Sequence, residues 1–119
     1  MTKRRIIKML ALVFALAMLL SVTAYAVNWT ENGVSCSGYC GYKSATTTAG
    51  SPMYIEANVY CEYVDPSGRI LNTRNEATNA GVLITATANI PSGSTMLVTE
   101  GMHRAGSGPY YPSNYDHGI

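Results

Sequence analysis

The chain has 119 residues, with 8 Lys and Arg against 7 Asp and Glu, and a formal net charge of +1. Four of the eight cations lie within the first eight positions, so the remainder carries four cations against seven acids, a net charge of −3. Cations this sparse and scattered argue against a nucleic-acid partner and against a stable electrostatic membrane anchor, because both depend on clustered positive charge.

Residues 1–26 have the pattern of a secretory signal peptide. The four early cations precede an apolar run over residues 9–20, and the small residues Ala24 and Ala26 supply a cleavage site. The apolar run is shorter than the roughly 20 residues needed to cross a bilayer. We therefore expect a helical signal peptide and a secreted mature chain that begins at Val27 and works outside the cell or in the cell wall.

Residues 27–104 are predicted to form one all-β domain. No helical period persists there, and Thr, Val, Ile and Tyr dominate between clusters of turn-forming residues, as an antiparallel sheet requires. We expect a small antiparallel β-sandwich of about six strands. The predicted strands cover residues 28–36, 44–49, 53–64, 69–74, 81–89 and 95–103.

The strand at 53–64 shows the clearest alternation along the chain. A turn over residues 65–68 follows it, in which Pro66 fixes φ and Gly68 tolerates a positive φ, so that residues 69–74 fold back as a hairpin partner. Residues 105–119 are rich in Gly, Pro and Tyr without alternation, and are predicted to form an irregular tail. In the strand at 53–64, the side chains predicted to face the core are Met53, Ile55, Ala57, Val59, Cys61 and Tyr63.

Three cysteines follow the leader, Cys36, Cys40 and Cys61. In an oxidising exterior at least two of them are expected to pair, and loop-closure entropy favours a link from the early segment to Cys61. The third thiol has three interpretations. It is a buried small hydrophobe, a bridge to a second copy in a disulfide-linked homodimer, or a reactive or metal-binding group.

Neither metal binding nor catalysis has a motif in this chain. The cysteines and the two histidines, His103 and His117, lack the compact spacing of a zinc site, and neither histidine lies in a catalytic motif. Glu56 and Glu62 share a strand face, but six residues of strand separate them by roughly 20 Å. The two catalytic carboxyl groups of a glycosidase lie only about 5 to 9.5 Å apart. A carboxylate pair formed across strands, with Glu76 or Glu100 as the second member, stays an open alternative. We predict no metal, no cofactor and no enzymatic activity.

Aromatic residues are abundant where charges are few. An amphipathic ring buries area against a sugar or a protein groove while its polar group stays hydrogen-bonded. The alternative interpretation is cross-strand packing that stiffens a small sheet. The candidate ligand contacts are Trp29, Tyr54, Tyr60, Tyr110, Tyr111 and Tyr115.

Two segments carry a resemblance. Residues 41–46, Gly-Tyr-Lys-Ser-Ala-Thr, and residues 80–88, an Ala-Gly followed by an Ala-rich strand, resemble small exported β-sandwich proteins of Gram-positive bacteria, including the lactococcin 972-type bacteriocins. The resemblance implies a secreted toxin that acts at the cell envelope of competing bacteria.

The sequence thus favours a secreted, non-enzymatic β-sandwich that binds a cell-wall or extracellular partner through surface tyrosines. Two alternatives stay open. One is the bacteriocin-like toxin, and the other is a wall-associated structural protein whose spare cysteine joins two copies.

Overall fold

The structure is a computed structural model that describes residues 24–118. Its regular elements are all β-strands, which confirms the all-β part of the prediction. The predicted signal peptide lies outside the described residues except for its last three. No helix within residues 24–118 is long and apolar enough to cross a membrane. The strands are β1 (Ala24–Tyr25), β2 (Val27–Glu31), β3 (Val34–Cys40), β4 (Ser44–Val64), β5 (Ile70–Thr87), β6 (Thr95–Ala105) and β7 (Tyr111–Tyr115).

The strands form one antiparallel sheet organised around β4. The order is β1-β7-β6-β4-β3-β2, and β5 pairs with β4. The first part of β4 pairs with β3, so that Ala45 lies opposite Cys40. Its second part pairs with β6, so that Ile55 lies opposite Ala105. β5 follows both parts of β4.

The β4–β5 hairpin folds back on itself in its middle. Its register shifts between Thr48 and Met53, where β4 carries the extra residues of an Ala-Gly-Ser-Pro segment. Thr47 Oγ1 nevertheless donates a hydrogen bond to the carbonyl of Glu56, 2.7 Å away. Nine residues of straight strand span about 30 Å, so β4 must bend sharply between these two residues.

The bend brings the two ends of the sheet together and makes its form nearly that of a barrel. β1 and β2 are consecutive in the chain but lie at opposite ends of the strand order. The ring of Trp29 on β2 stacks on that of Tyr111 on β7, with centroids 4.6 Å apart. Aromatic stacking thus joins the two ends, between which the described strands form no ladder of hydrogen bonds.

The core lies between the two facing halves of this folded sheet. Ile55, Ala57, Val59, Cys61 and Tyr63 are buried, as the alternation of β4 predicts. They pack in two clusters, one with Cys40, Ala45 and Met96 and one with Cys36 and Ala105. Small side chains predominate because the two halves approach closely.

The turn at residues 65–68 forms as predicted. Gly68 has a φ of +87°, and its N–H donates to the Asp65 carbonyl. The Asp65 carboxylate accepts from the backbone N–H groups of Ser67 and Arg69 and pairs with the Arg69 guanidinium at 2.9 Å. The pKa of this carboxyl lies below its ordinary value. The main cause is the hydrogen bond from the Arg69 backbone N–H, and the Arg69 guanidinium contributes less.

Four of the predicted boundaries differ in the structure. Residues 28–36 are not one strand, because Asn32 and Gly33 both have positive φ and make a tight turn between β2 and β3. The two strands predicted at 44–49 and 53–64 are one continuous strand, β4. Those predicted at 69–74 and 81–89 are likewise one strand, β5. The C-terminal segment is not irregular throughout, since residues 111–115 form β7 and pair with β6.

Gly68→Ala tests the left-handed turn. A Cβ at Gly68 meets no atom within 4 Å, so only backbone strain acts, and we expect a loss of about 1 to 2 kcal/mol of unfolding free energy. Urea denaturation measures it. Ser67→Ala in the same turn is the control and should change stability by less than about 0.5 kcal/mol. Equal effects of the two substitutions would contradict the assignment.

Candidate functional site

A groove of about 850 Å³ lies on the outer face of the sheet. It crosses β5, β4, β6 and β7 in two adjacent rows, because residues in register on neighbouring strands project from the same face. The first row is Arg74, Tyr60, Glu100 and Asn114. The second row is Glu76, Asn58, Met102 and Pro112. Tyr110 and the intervening residues Asn75, Val59, Gly101 and Ser113 complete the lining.

Tyr60 is held at the groove by two neighbours. Its hydroxyl donates to Glu62 Oε2 at 2.5 Å, and the Arg74 guanidinium carbon lies 4.5 Å from its ring centroid. The hydrogen bond to Glu62 is the main cause that raises the pKa of Tyr60. The phenol therefore stays a protonated donor, and its ring is fixed over the sheet.

Tyr110 is fixed in the same manner at the far end of the groove. Its hydroxyl donates to Glu56 Oε2 at 2.6 Å and accepts from Arg104 Nη1 at 3.3 Å. Asn58 Nδ2 donates to the same Glu56 oxygen at 3.1 Å. Two of the outer-face carboxylates thus position tyrosine rings.

The other two outer-face carboxylates are free to meet a ligand. Within residues 24–118 neither Glu76 nor Glu100 makes an ion pair or a side-chain hydrogen bond. Glu76 lies opposite Asn58 and Glu100 opposite Tyr60, so neither is directly across from Glu56 or Glu62. The described residues contain no group of three or more His, Cys, Asp or Glu able to hold a metal ion.

Beneath the groove, four buried side chains form a directed chain of hydrogen bonds. Thr47 donates its only hydroxyl proton to the Glu56 carbonyl. In its second hydrogen bond, with His103 Nδ1 at 2.8 Å, it is therefore the acceptor. Nε2 of the neutral ring is then an acceptor. The Ser113 hydroxyl therefore donates to it at 2.6 Å and accepts from the Cys40 thiol at 3.1 Å. We call Thr47, His103, Ser113 and Cys40 the buried chain.

Two glycines make room for the buried chain. A Cβ at Gly38 would collide with the ring of His103. A Cβ at Gly101 would lie 2.7 Å from both the Cys40 sulfur and the Ser113 hydroxyl oxygen. A side chain at either position would therefore displace members of the buried chain.

The Ser113–His103 contact has the spacing of a nucleophile and its base. Ser113 is only 4% exposed, however, and both sides of its hydroxyl are occupied within the buried chain. Burial lowers the pKa of His103 to about 4, which makes it a weak base. The residue orienting the ring is Thr47 and not a carboxylate. The buried chain therefore joins strands.

The C-terminal segment packs against a second polar cluster. The rings of Tyr42, Tyr115 and His117 meet edge to face, with centroids 4.8 to 6.2 Å apart. Thr99 Oγ1 donates to the Tyr42 carbonyl, so His117 Nε2 donates to Thr99 at 2.8 Å. Burial lowers the pKa of His117 as well.

The disulfide expected from the sequence is not formed in the structure. Cys36, Cys40 and Cys61 are free and buried. Each sulfur has a different polar neighbour, namely the Val34 carbonyl, Ser113 and Thr99 respectively. Cys36 also lies in a different cluster from the other two. Burial raises the pKa of all three thiols.

The six candidate aromatics fall into two sets. Tyr60 and Tyr110 line the groove, and Tyr54 is exposed two positions from Glu56 on the same face of β4. Trp29, Tyr111 and Tyr115 instead pack against other rings of the protein. The groove residues that the aromatic pattern misses lie at alternate positions of the strands, chiefly the polar Asn58, Arg74, Glu100 and Asn114 and the apolar Met102.

Comparisons with protein-family models, with curated proteins and with solved structures find no match to this chain.

His103 makes stability depend on pH in a calculable direction. Its pKa is about 4 in the folded protein, below the ordinary 6.5. Between these two values the imidazole binds a proton in the unfolded chain but stays neutral in the folded one. Stability is therefore full above pH 6.5 and falls as the pH drops toward 4. From pH 7.5 to pH 5 we expect a loss of about 2 kcal/mol from this group alone.

Urea denaturation at the two pH values measures the loss. His103→Gln should flatten the dependence, even though the variant is less stable at every pH. His117→Gln, at the less buried histidine, is the matched control and should retain most of it. A His103→Gln variant with the full dependence would contradict the assignment.

Proposed function

We propose that this is a secreted, non-enzymatic binding protein whose outer-face groove holds a glycan strand of a cell envelope or an extracellular polysaccharide. The observation that carries the proposal is the groove itself, in which two fixed tyrosines flank side-chain amides and unpaired carboxylates. The Tyr60 and Tyr110 contacts described above are its aromatic elements.

The chemistry of the groove suits a sugar ring. Sugars present apolar C–H faces between hydroxyls that both donate and accept hydrogen bonds. Tyrosine rings cover apolar faces, and the amides of Asn58 and Asn114 both donate and accept. Glu76 and Glu100 add acceptors that no residue in the described part of the chain already occupies.

The order of the groove also supports binding. Tyr60 and Tyr110 are already hydrogen-bonded to carboxylates, and each ring lies against a guanidinium group. A ligand that stacks on the open side of such a ring does not have to immobilise it first, so less conformational entropy is lost on binding.

We also infer that the folded sheet is a sandwich of two facing layers. Support comes from the contacts between the two halves of the sheet, such as Thr47 with His103 and Cys40 with Ser113. In that description the groove covers the outer face of one layer, and secretion places that face outside the cell.

Tyr60→Ala and Tyr110→Ala test the groove. We expect each to weaken binding about tenfold, the effect of losing about 1.4 kcal/mol of contact energy. Co-sedimentation with insoluble peptidoglycan and titration calorimetry with soluble polysaccharides measure it.

Tyr39→Ala is the matched control, because Tyr39 is 43% exposed, similar to Tyr110 at 42%, yet lies on β3 outside the groove. It should bind like the unmodified protein. Absence of binding to every glycan tested, or equal losses in all three variants, would overturn the proposal.

A further inference from the structure

The outer edge of β5 has no partner strand in the described part of the chain. β5 pairs with β4 along one edge only. An open edge of this length presents a row of backbone donors and acceptors on which another strand can pair. Its 18 residues carry just two charges, Arg74 and Glu76.

The turn at residues 65–68 determines which backbone groups of this edge point outward. Asp65 N–H donates to the Arg69 carbonyl, which makes residues 65 and 69 a hydrogen-bonded pair. Bonded and non-bonded pairs alternate along an antiparallel ladder. The odd residues of the first half of β5 therefore bond to β4, and even residues such as Arg74 and Glu76 direct their N–H and C=O groups away from it.

A second copy of the same edge can pair with it around a twofold axis only in certain registers. Outward-pointing residues must lie opposite each other, so even residues meet even residues. With Asn75 on the axis, Arg74 lies opposite the partner's Glu76 and Glu76 opposite the partner's Arg74. Moving the axis by one residue either way puts Arg74 against Arg74 or Glu76 against Glu76, and larger shifts separate the charges.

We propose that the protein forms a homodimer by antiparallel pairing of β5 with β5 of a second copy, with Asn75 on the twofold axis. The self-complementary charge pattern carries this inference, because adjacent registers are electrostatically repulsive and this one is attractive at two symmetric positions. The outer faces of the two copies then form one continuous surface.

The dimer has a consequence for the groove. Arg74 and Glu76 line it, so pairing places the partner's charges at its β5 rim and sets two grooves side by side across the axis. A polymer that reaches both grooves gains affinity through effective concentration. Pairing itself does not require the groove to bind a glycan.

The Asn75 side chain covers part of this edge in the single chain. Its Oδ1 accepts from Glu76 N–H at 3.0 Å, and its Nδ2 donates to the Thr87 carbonyl at 2.8 Å. Pairing exchanges the first of these bonds for one between Glu76 N–H and the carbonyl of the partner's Arg74. The exchange conserves the hydrogen bonding of Glu76, so the charge pairs decide the register.

Charge reversal with sedimentation equilibrium tests the dimer. We expect the apparent mass of the purified protein to double as its concentration rises. Arg74→Glu and Glu76→Arg should each remain monomeric, because each sets like charges opposite one another. An equimolar mixture of the two variants should form a heterodimer, and the double variant R74E/E76R should dimerise like the original.

Thr78→Pro tests the backbone contact separately. Residue 78 points its N–H outward, so proline there spares the ladder with β4 and removes one donor from the edge. We expect at least a tenfold weaker dimer with an unchanged circular-dichroism spectrum. A protein monomeric at its highest soluble concentration, or single charge variants that dimerise unchanged, would overturn the dimer. Loss of glycan binding alone would overturn only the proposed function.

Discussion

The buried chain is the constraint on which the rest of this structure depends. It links β3, β4, β6 and β7 through side chains that each use their hydrogen-bonding capacity in one direction, from the Cys40 thiol to the Glu56 carbonyl. Buried polar groups are costly when a partner is missing and specific when all partners are present. A fold that nearly closes on itself needs such specificity, because small apolar side chains alone would allow neighbouring registers.

The buried chain also determines the groove, because side chains alternate across a strand. When His103 and Ser113 point inward, their neighbours Met102, Pro112 and Asn114 must point outward. The same holds on β4, where Ala57 and Val59 face the core and Asn58 and Tyr60 face solvent. A one-residue slip would turn groove residues into the core. The interior contacts thus fix the order of the residues that meet a ligand outside.

Local chemistry made part of this predictable from the sequence. Period-two alternation identified the inward set of β4, and Pro66 with Gly68 identified its turn. The Asn32-Gly33 turn carried an equally strong signal that the strand prediction at 28–36 overlooked. The tail was misjudged because Tyr111 and Ser113 are ordered by Trp29 and His103, partners remote in sequence. For the same reason no local pattern marks the buried chain or the bend of β4.

The tautomer of His103 tests the central claim most directly. Nitrogen-15 chemical shifts of the imidazole ring distinguish a proton on Nδ1 from one on Nε2 and a neutral ring from a charged one. The direction of the buried chain predicts a neutral ring protonated on Nδ1 from pH 7.5 down to pH 5. A ring protonated on Nε2, or one that titrates near pH 6.5 in the folded protein, would contradict it.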